Sequence, residues 1–166
     1  MKKICIAALL AGALAVLSEA APPAKPQRNI LGIHLDMSRA EVQKRLQEIG
    51  KFERDERKRQ EIWQVRDERF SHLVVGFDKT ERLRYVTAVA REDKEAKRVG
   101  YEEIGNLKEA RQAGDVAIKN FNYEWNLPAE KRDPQTLVSA RGRDPKFLST
   151  YSLKRLSESV EEKEID

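Results

Sequence analysis

The chain has 166 residues, 36% of them charged, and 32 Lys and Arg against 28 Asp and Glu leave a net charge of only +4. That length suits one domain or two small ones. The signs are interleaved, as in Glu53-Arg54-Asp55-Glu56-Arg57-Lys58-Arg59, so opposed neighbours cancel beyond a Debye length of about 8 Å, which argues against a nucleic-acid face. A single cysteine, Cys5, and two histidines, His34 and His72, exclude a disulfide scaffold and most metal sites built on imidazole.

Residues 1–20 read as a secretory signal peptide. Lys2 and Lys3 form the basic start, residues 4–17 the apolar run, and Ser18-Glu19-Ala20 the small-residue site, with cleavage expected before Ala21. The alternative is an uncleaved N-terminal anchor. Cys5 stands at the start of the apolar run, the wrong place for lipid acylation, so the mature chain would carry no thiol. Residues 21–29 are Pro-rich without apolar periodicity and predict an extended linker or a disordered mature N-terminus.

The next segment predicts a helix over Arg39–Ile49. Ser38 is a natural N-cap, Glu41 completes a capping box, and Met37 and Val42 sit where a hydrophobic staple closes the entry. Val42, Leu46 and Ile49 recur at helical spacing. Gly50 follows as a residue suited to a left-handed C′ position. Residues 51–61 are mostly charged and read as a turn, with Phe52 the one side chain reaching a core.

Three alternating runs follow: residues 62–66, Phe70–Phe77 and Leu83–Ala90, joined by short polar turns and therefore antiparallel. Trp63, Leu73, Val75 and Phe77 are expected beneath the helix stripe, with His72 on the far face of its strand. In the second half, residues 92–100 read as a charged connector and residues 101–105 as extended. Asn106 and Glu109 suggest a second capped helix over Leu107, Ala110 and Ala113. Phe121–Leu127 alternates, Phe121, Tyr123 and Trp125 opposing Asn122, Glu124 and Asn126, and Pro128 stops it. Residues 135–141 and 147–156 give two more strands around the turn Gly142-Arg143-Asp144-Pro145. Residues 158–166 form an acidic tail.

The expected fold is α+β, with helices packed on one face of an antiparallel sheet. It is organised as two helix-plus-three-strand units in tandem, over residues 30–92 and 93–157.

The segment Gly32-Ile33-His34-Leu35-Asp36-Met37-Ser38-Arg39-Ala40-Glu41-Val42, with Leu46, Trp63, Val75-Gly76-Phe77-Asp78 and Leu83-Arg84-Tyr85-Val86, resembles the SmpA/OmlA-type domain. It is also similar to the repeat of the β-lactamase-inhibitor-protein fold. Asp36 and Arg82 stand where that pattern has glycine, and the lipidated cysteine of the assembly lipoproteins is missing. The resemblance covers roughly residues 30–90 and implies a periplasmic accessory protein of outer-membrane assembly.

The residues themselves offer no nucleophile elbow, phosphate loop or metal-spaced cluster. No cofactor or nucleic-acid partner is expected, and any membrane association would run through an uncleaved N-terminus or a partner. The expectation is a non-enzymatic, exported, periplasmic or secreted module that binds another envelope protein. The rival is a small periplasmic hydrolase or ligand-binding domain. Candidate partner-binding residues are Tyr123, Trp125, Arg141, Arg143 and Tyr151, because interface hot spots favour Trp, Tyr and Arg. The competing assignment for the strand aromatics is the core.

Overall fold

The computed structural model describes residues 24–131 and 133–156. The signal-peptide segment and the acidic tail lie outside the described residues.

The N-cap sequence forms its helix as written. In α1 (Arg39–Ile49) the Ser38 N–H donates to Glu41 Oε2 at 2.7 Å, and the Glu41 N–H returns to Ser38 Oγ at 3.4 Å. Val42 and Leu46 are fully buried. The helix does not end on a left-handed glycine. Gly50 is extended (φ −162°, ψ −160°) and is the first residue of β1 (Gly50–Arg57). Glycine is required there for a different reason: a Cβ would stand 2.2 Å from the Gln64 carbonyl oxygen.

The chain continues as β2 (Gln60–Val65), β3 (Phe70–Phe77), β4 (Leu83–Ala90), α2 (Tyr101–Ile104), β5 (Arg111–Gln112), a 3₁₀ turn (Val116–Ile118), β6 (Phe121–Leu127), β7 (Thr136–Gly142) and β8 (Thr150–Arg155). All eight strands join one antiparallel sheet in the order β1-β2-β3-β4-β8-β7-β6-β5. Each half of the chain therefore enters as a four-stranded meander, and the two meet along β4 and β8.

The α+β expectation is corrected by this architecture. The molecule is mainly β, with only two short helices among the described residues. Two local misreadings account for the difference. The charged run after Gly50 is strand rather than turn, with only Lys58 and Arg59 turning. The helix expected after Asn106 does not propagate: Asn106 caps a single turn, its Oδ1 accepting the Lys108 N–H and its Nδ2 donating to Glu109, and the chain then enters β5 at Arg111. The helix of that region lies earlier, where the Gly100 N–H donates to Glu103 Oε1 at 2.8 Å.

One sheet face is packed. Its register rows run Phe52–Trp63–Leu73–Ala88–Tyr151–Ala140–Tyr123 and Asp55–Glu61–Val75–Val86–Leu153–Val138–Trp125. Over them lie α1, α2 and the apolar side chains of Ile30, Ile33, Leu35, Val99 and Leu148. Phe52 does not reach the core as expected. It stays 43% exposed on the edge strand and meets Trp63 edge-on at 5.4 Å.

Residues 24–29 are not the free linker that their proline content suggested. Tyr151 donates its hydroxyl to the Gln27 carbonyl at 3.3 Å. The Arg28 guanidinium donates to the Pro128 carbonyl at 2.5 Å and pairs with Glu130 at 3.2 Å.

Candidate functional site

The face opposite the helices carries three further register rows. The central row is Arg54–Ile62–Val74–Thr87–Ser152–Ser139–Glu124–Arg111, crossing all eight strands. On one side of it run Lys51, Gln64, His72, Val89, Thr150, Arg141 and Asn122. On the other run Arg57, Gln60, Gly76, Tyr85, Lys154, Leu137 and Asn126. The middle of the central row is built of aliphatic and hydroxyl side chains with charges at its ends, and Lys154 adds a cation on β8 in the third row.

Polar groups here are satisfied by one another. Thr87 and Ser152 share a hydroxyl hydrogen bond at 2.9 Å across β4 and β8. Tyr85 lies over Gly76, whose missing side chain makes room for the ring, since a Cβ would be 2.2 Å from it. Its hydroxyl donates to Gln60 Oε1 at 2.8 Å. Burial, the largest influence, raises the Tyr85 pKa above its ordinary value, so the phenol stays a neutral donor. His72 occupies the far face as expected, with Nδ1 3.0 Å from Ser71 Oγ and Nε2 3.2 Å from Glu53.

The second half of the face holds a charged cluster. Glu124 on β6 is only 7% exposed. Its carboxylate accepts from Arg111 on β5 and from Asn122 Nδ2 at 3.0 Å. Arg141 on β7 places NH2 3.7 Å from Glu124 Oε1 and donates Nε to Asn122 Oδ1 at 3.2 Å. Burying a carboxylate is costly unless it is paired and hydrogen-bonded, and here both conditions are met.

The candidate partner-binding residues separate onto two faces. Arg141 is exposed on the open face, and Arg143 is exposed in the turn between β7 and β8. Trp125 and Tyr151 are buried on the packed face, and Tyr123 is half-buried there. Trp125 Nε1 donates to the Asn106 carbonyl at 3.0 Å, and the Tyr123 ring packs against Tyr101 at a tilt of 57°, centroids 4.9 Å apart. Burial, then Tyr123 and Asp144, pushes the Tyr101 hydroxyl up to about 12. The three aromatics hold the core and do not join Arg141 in one surface. The residues that do join it, Asn122 and Glu124, were visible as the polar half of the same alternation, but Arg111 had no signal because its strand is two residues long.

Elsewhere, a shallow cleft of about 380 Å³ beside the start of α1 is lined by His34, Asp36, Met37, Glu41, Lys44, Arg45, Glu48 and Arg82. His34 Nδ1 lies 2.9 Å from Asp36, but the Ser38 hydroxyl is tied to Glu41 at 2.7 Å in the helix cap. Among the described residues, no group of three or more His, Cys, Asp or Glu is gathered to hold a metal, and no helix is long and apolar enough to cross a membrane. Comparisons with family models, with characterised proteins and with solved structures find no match to this chain.

Proposed function

We propose that this protein is an exported, non-catalytic module of the cell envelope that binds another protein through the open face of its sheet. One observation carries the reading: three unbroken register rows cross the sheet on the side away from both helices. With strands about 4.8 Å apart, such a face is on the order of 30 Å wide, the scale of a surface that buries about 800 Å² per partner. Small hydroxyl residues at its centre let another backbone come close, and the half-buried Tyr85 and the exposed Arg111 and Arg141 give it anchors. The SmpA/OmlA-type resemblance over residues 30–90 points the same way.

The test is site-directed photo-crosslinking in the native compartment. A photoreactive residue at position 87, in the centre of the face, should give protein adducts, whereas one at position 44, on the outer surface of α1, should not. Adducts from position 44 alone would remove the open face from the reading.

A further inference from the structure

We infer that Arg111 and Arg141 form a receptor for a carboxylate presented by an acidic segment of the partner protein. This rests on the protein-binding reading and names the chemistry that the open face would select.

The receptor is built around Glu124. This one buried carboxylate holds Arg111 through one oxygen, while its other oxygen takes Asn122 and faces Arg141. Asn122 in turn fixes the Nε of Arg141. Each guanidinium is thus held by one edge, yet the two side chains remain 70% and 58% exposed. Two cations on one anion leave a net positive charge. They flank β6 from β5 and β7, so their backbones stand about 10 Å apart, two strand spacings. The outward N–H groups of both are free to converge on a third group.

Arginine's planar fork matches a carboxylate through paired hydrogen bonds. Fixing the fork in advance removes much of the ordering cost that binding would otherwise pay. The next positions along the central row, Ser139 and Ser152, are too short to block the approach.

The first half of the face is different. There Glu53 pairs with Arg54 and His72, while Lys51 and Arg57 stand apart on the edge strand. The second half differs in that its two guanidiniums share one buried carboxylate. A polyanion such as nucleic acid needs cations repeated at phosphate spacing. Here a single pair is followed by neutral hydroxyls, which suits one carboxylate at a time.

The experiment uses the full chain and a fluorescein-labelled oligo-glutamate peptide, read by anisotropy at low salt. Arg111→Gln and Arg141→Gln, measured at a temperature where each is folded, should each weaken binding about ten-fold, while Arg143→Gln, outside the cluster, should weaken it by less than about two-fold. Arg141→Lys keeps the charge and loses the fork, and it should also bind more weakly. It carries the test if the glutamine variant proves unstable. Equal losses from Arg143→Gln and Arg141→Gln would overturn the receptor in favour of diffuse charge. So would an oligo-glutamate peptide that does not bind. Tighter arginine-dependent binding of an oligonucleotide or of phosphatidylglycerol vesicles would overturn the assignment to a protein carboxylate. Persisting crosslinks from position 87 without any arginine dependence would remove the receptor and leave the protein-binding reading standing.

Discussion

Trp63 Nε1 donates to Glu61 Oε2 at 2.9 Å, two residues apart on the packed face of β2. Glu61 is a carboxylate only 2% exposed, and its other oxygen accepts from Arg39 Nε and Gln43 Nε2, both at 2.8 Å. Arg39 reaches on to Glu81 at 2.8 Å and lies over the Phe77 ring at 4.9 Å. One acid therefore ties the first turn of α1 to the sheet. Removing one partner of such a group strands the others, so Glu61→Ala should cost about 3 kcal/mol by denaturant unfolding. The double variant Glu61→Leu with Arg39→Met should recover part of that loss. A Glu61→Ala protein as stable as the parent would mean that the network holds nothing.

The other end of α1 gives a comparison between two glycines. An added methyl at Gly50 meets a backbone oxygen that has no room to withdraw, whereas one at Gly76 meets the Tyr85 ring, which can swing out. Gly50→Ala should therefore cost roughly 2–3 kcal/mol and Gly76→Ala about 1. Gly76→Ala should also break the Tyr85–Gln60 hydrogen bond on the open face. Chemical denaturation midpoints test the order.

Within α1 itself, the cap and the core contact should rank differently. Ser38→Ala should cost about 1 kcal/mol, the worth of an N-cap. Leu46→Ala, at a fully buried site, should cost roughly 2–5 kcal/mol. Unfolding midpoints in the reverse order would contradict the packing of α1 on β1 and β2.

What could be read from the sequence depended on burial. The strands Phe70–Phe77, Leu83–Ala90 and Phe121–Leu127 were legible because one face of each is core, which imposes a period of two. The helix of Ser38 and Glu41 was legible because its cap is local. β1 was not, since as a charged edge strand it buries almost nothing and shows no alternation. Its charges and its two bulges are features that keep an edge from pairing with another chain. The cation cluster was hidden for a related reason. Interleaved signs along the chain do not stay interleaved in space, because alternate residues of a strand go to opposite faces.

Acid should weaken the fold through the carboxyls held below their ordinary range, Glu41, Asp78 and Asp144. The Ser38 hydroxyl, then the Ser38 backbone N–H, holds Glu41 below its ordinary 4.5. Burial pushes Asp78 up, but the Thr80 hydroxyl, the Arg82 and Thr80 amides and Arg155 outweigh it and hold Asp78 below 3.8. A lowered folded pKa means stability that is fully present above the ordinary value and is lost as pH falls through the folded one. Melting temperature should therefore fall from about pH 4.5 downward, and the fall should be shallower in Glu41→Gln, whose amide does not titrate. Parallel curves for the two proteins would show that the cap carboxylate is not linked to folding.

Arg28 makes a prediction about the segment that precedes the sheet. Its side chain is 19% exposed and joins residues 24–29 to the loop after β6, through the Pro128 and Pro134 carbonyls and the carboxylates of Glu130 and Asp133. The Gln27 carbonyl meanwhile caps the buried Tyr151 hydroxyl, whose pKa burial raises. Arg28→Ala removes the charge-assisted bonds and frees two carbonyls, which should cost roughly 1–2 kcal/mol. The loss should be local: amide exchange should quicken at Glu130 and Asp133, whose N–H groups bond each other's carbonyls, while β3 and β4 keep their protection. Tyr151→Phe separates the two attachments, because it removes the bond to Gln27 and leaves Arg28 in place. If Arg28→Ala leaves exchange at Glu130 and Asp133 unchanged, the segment does not hold that loop.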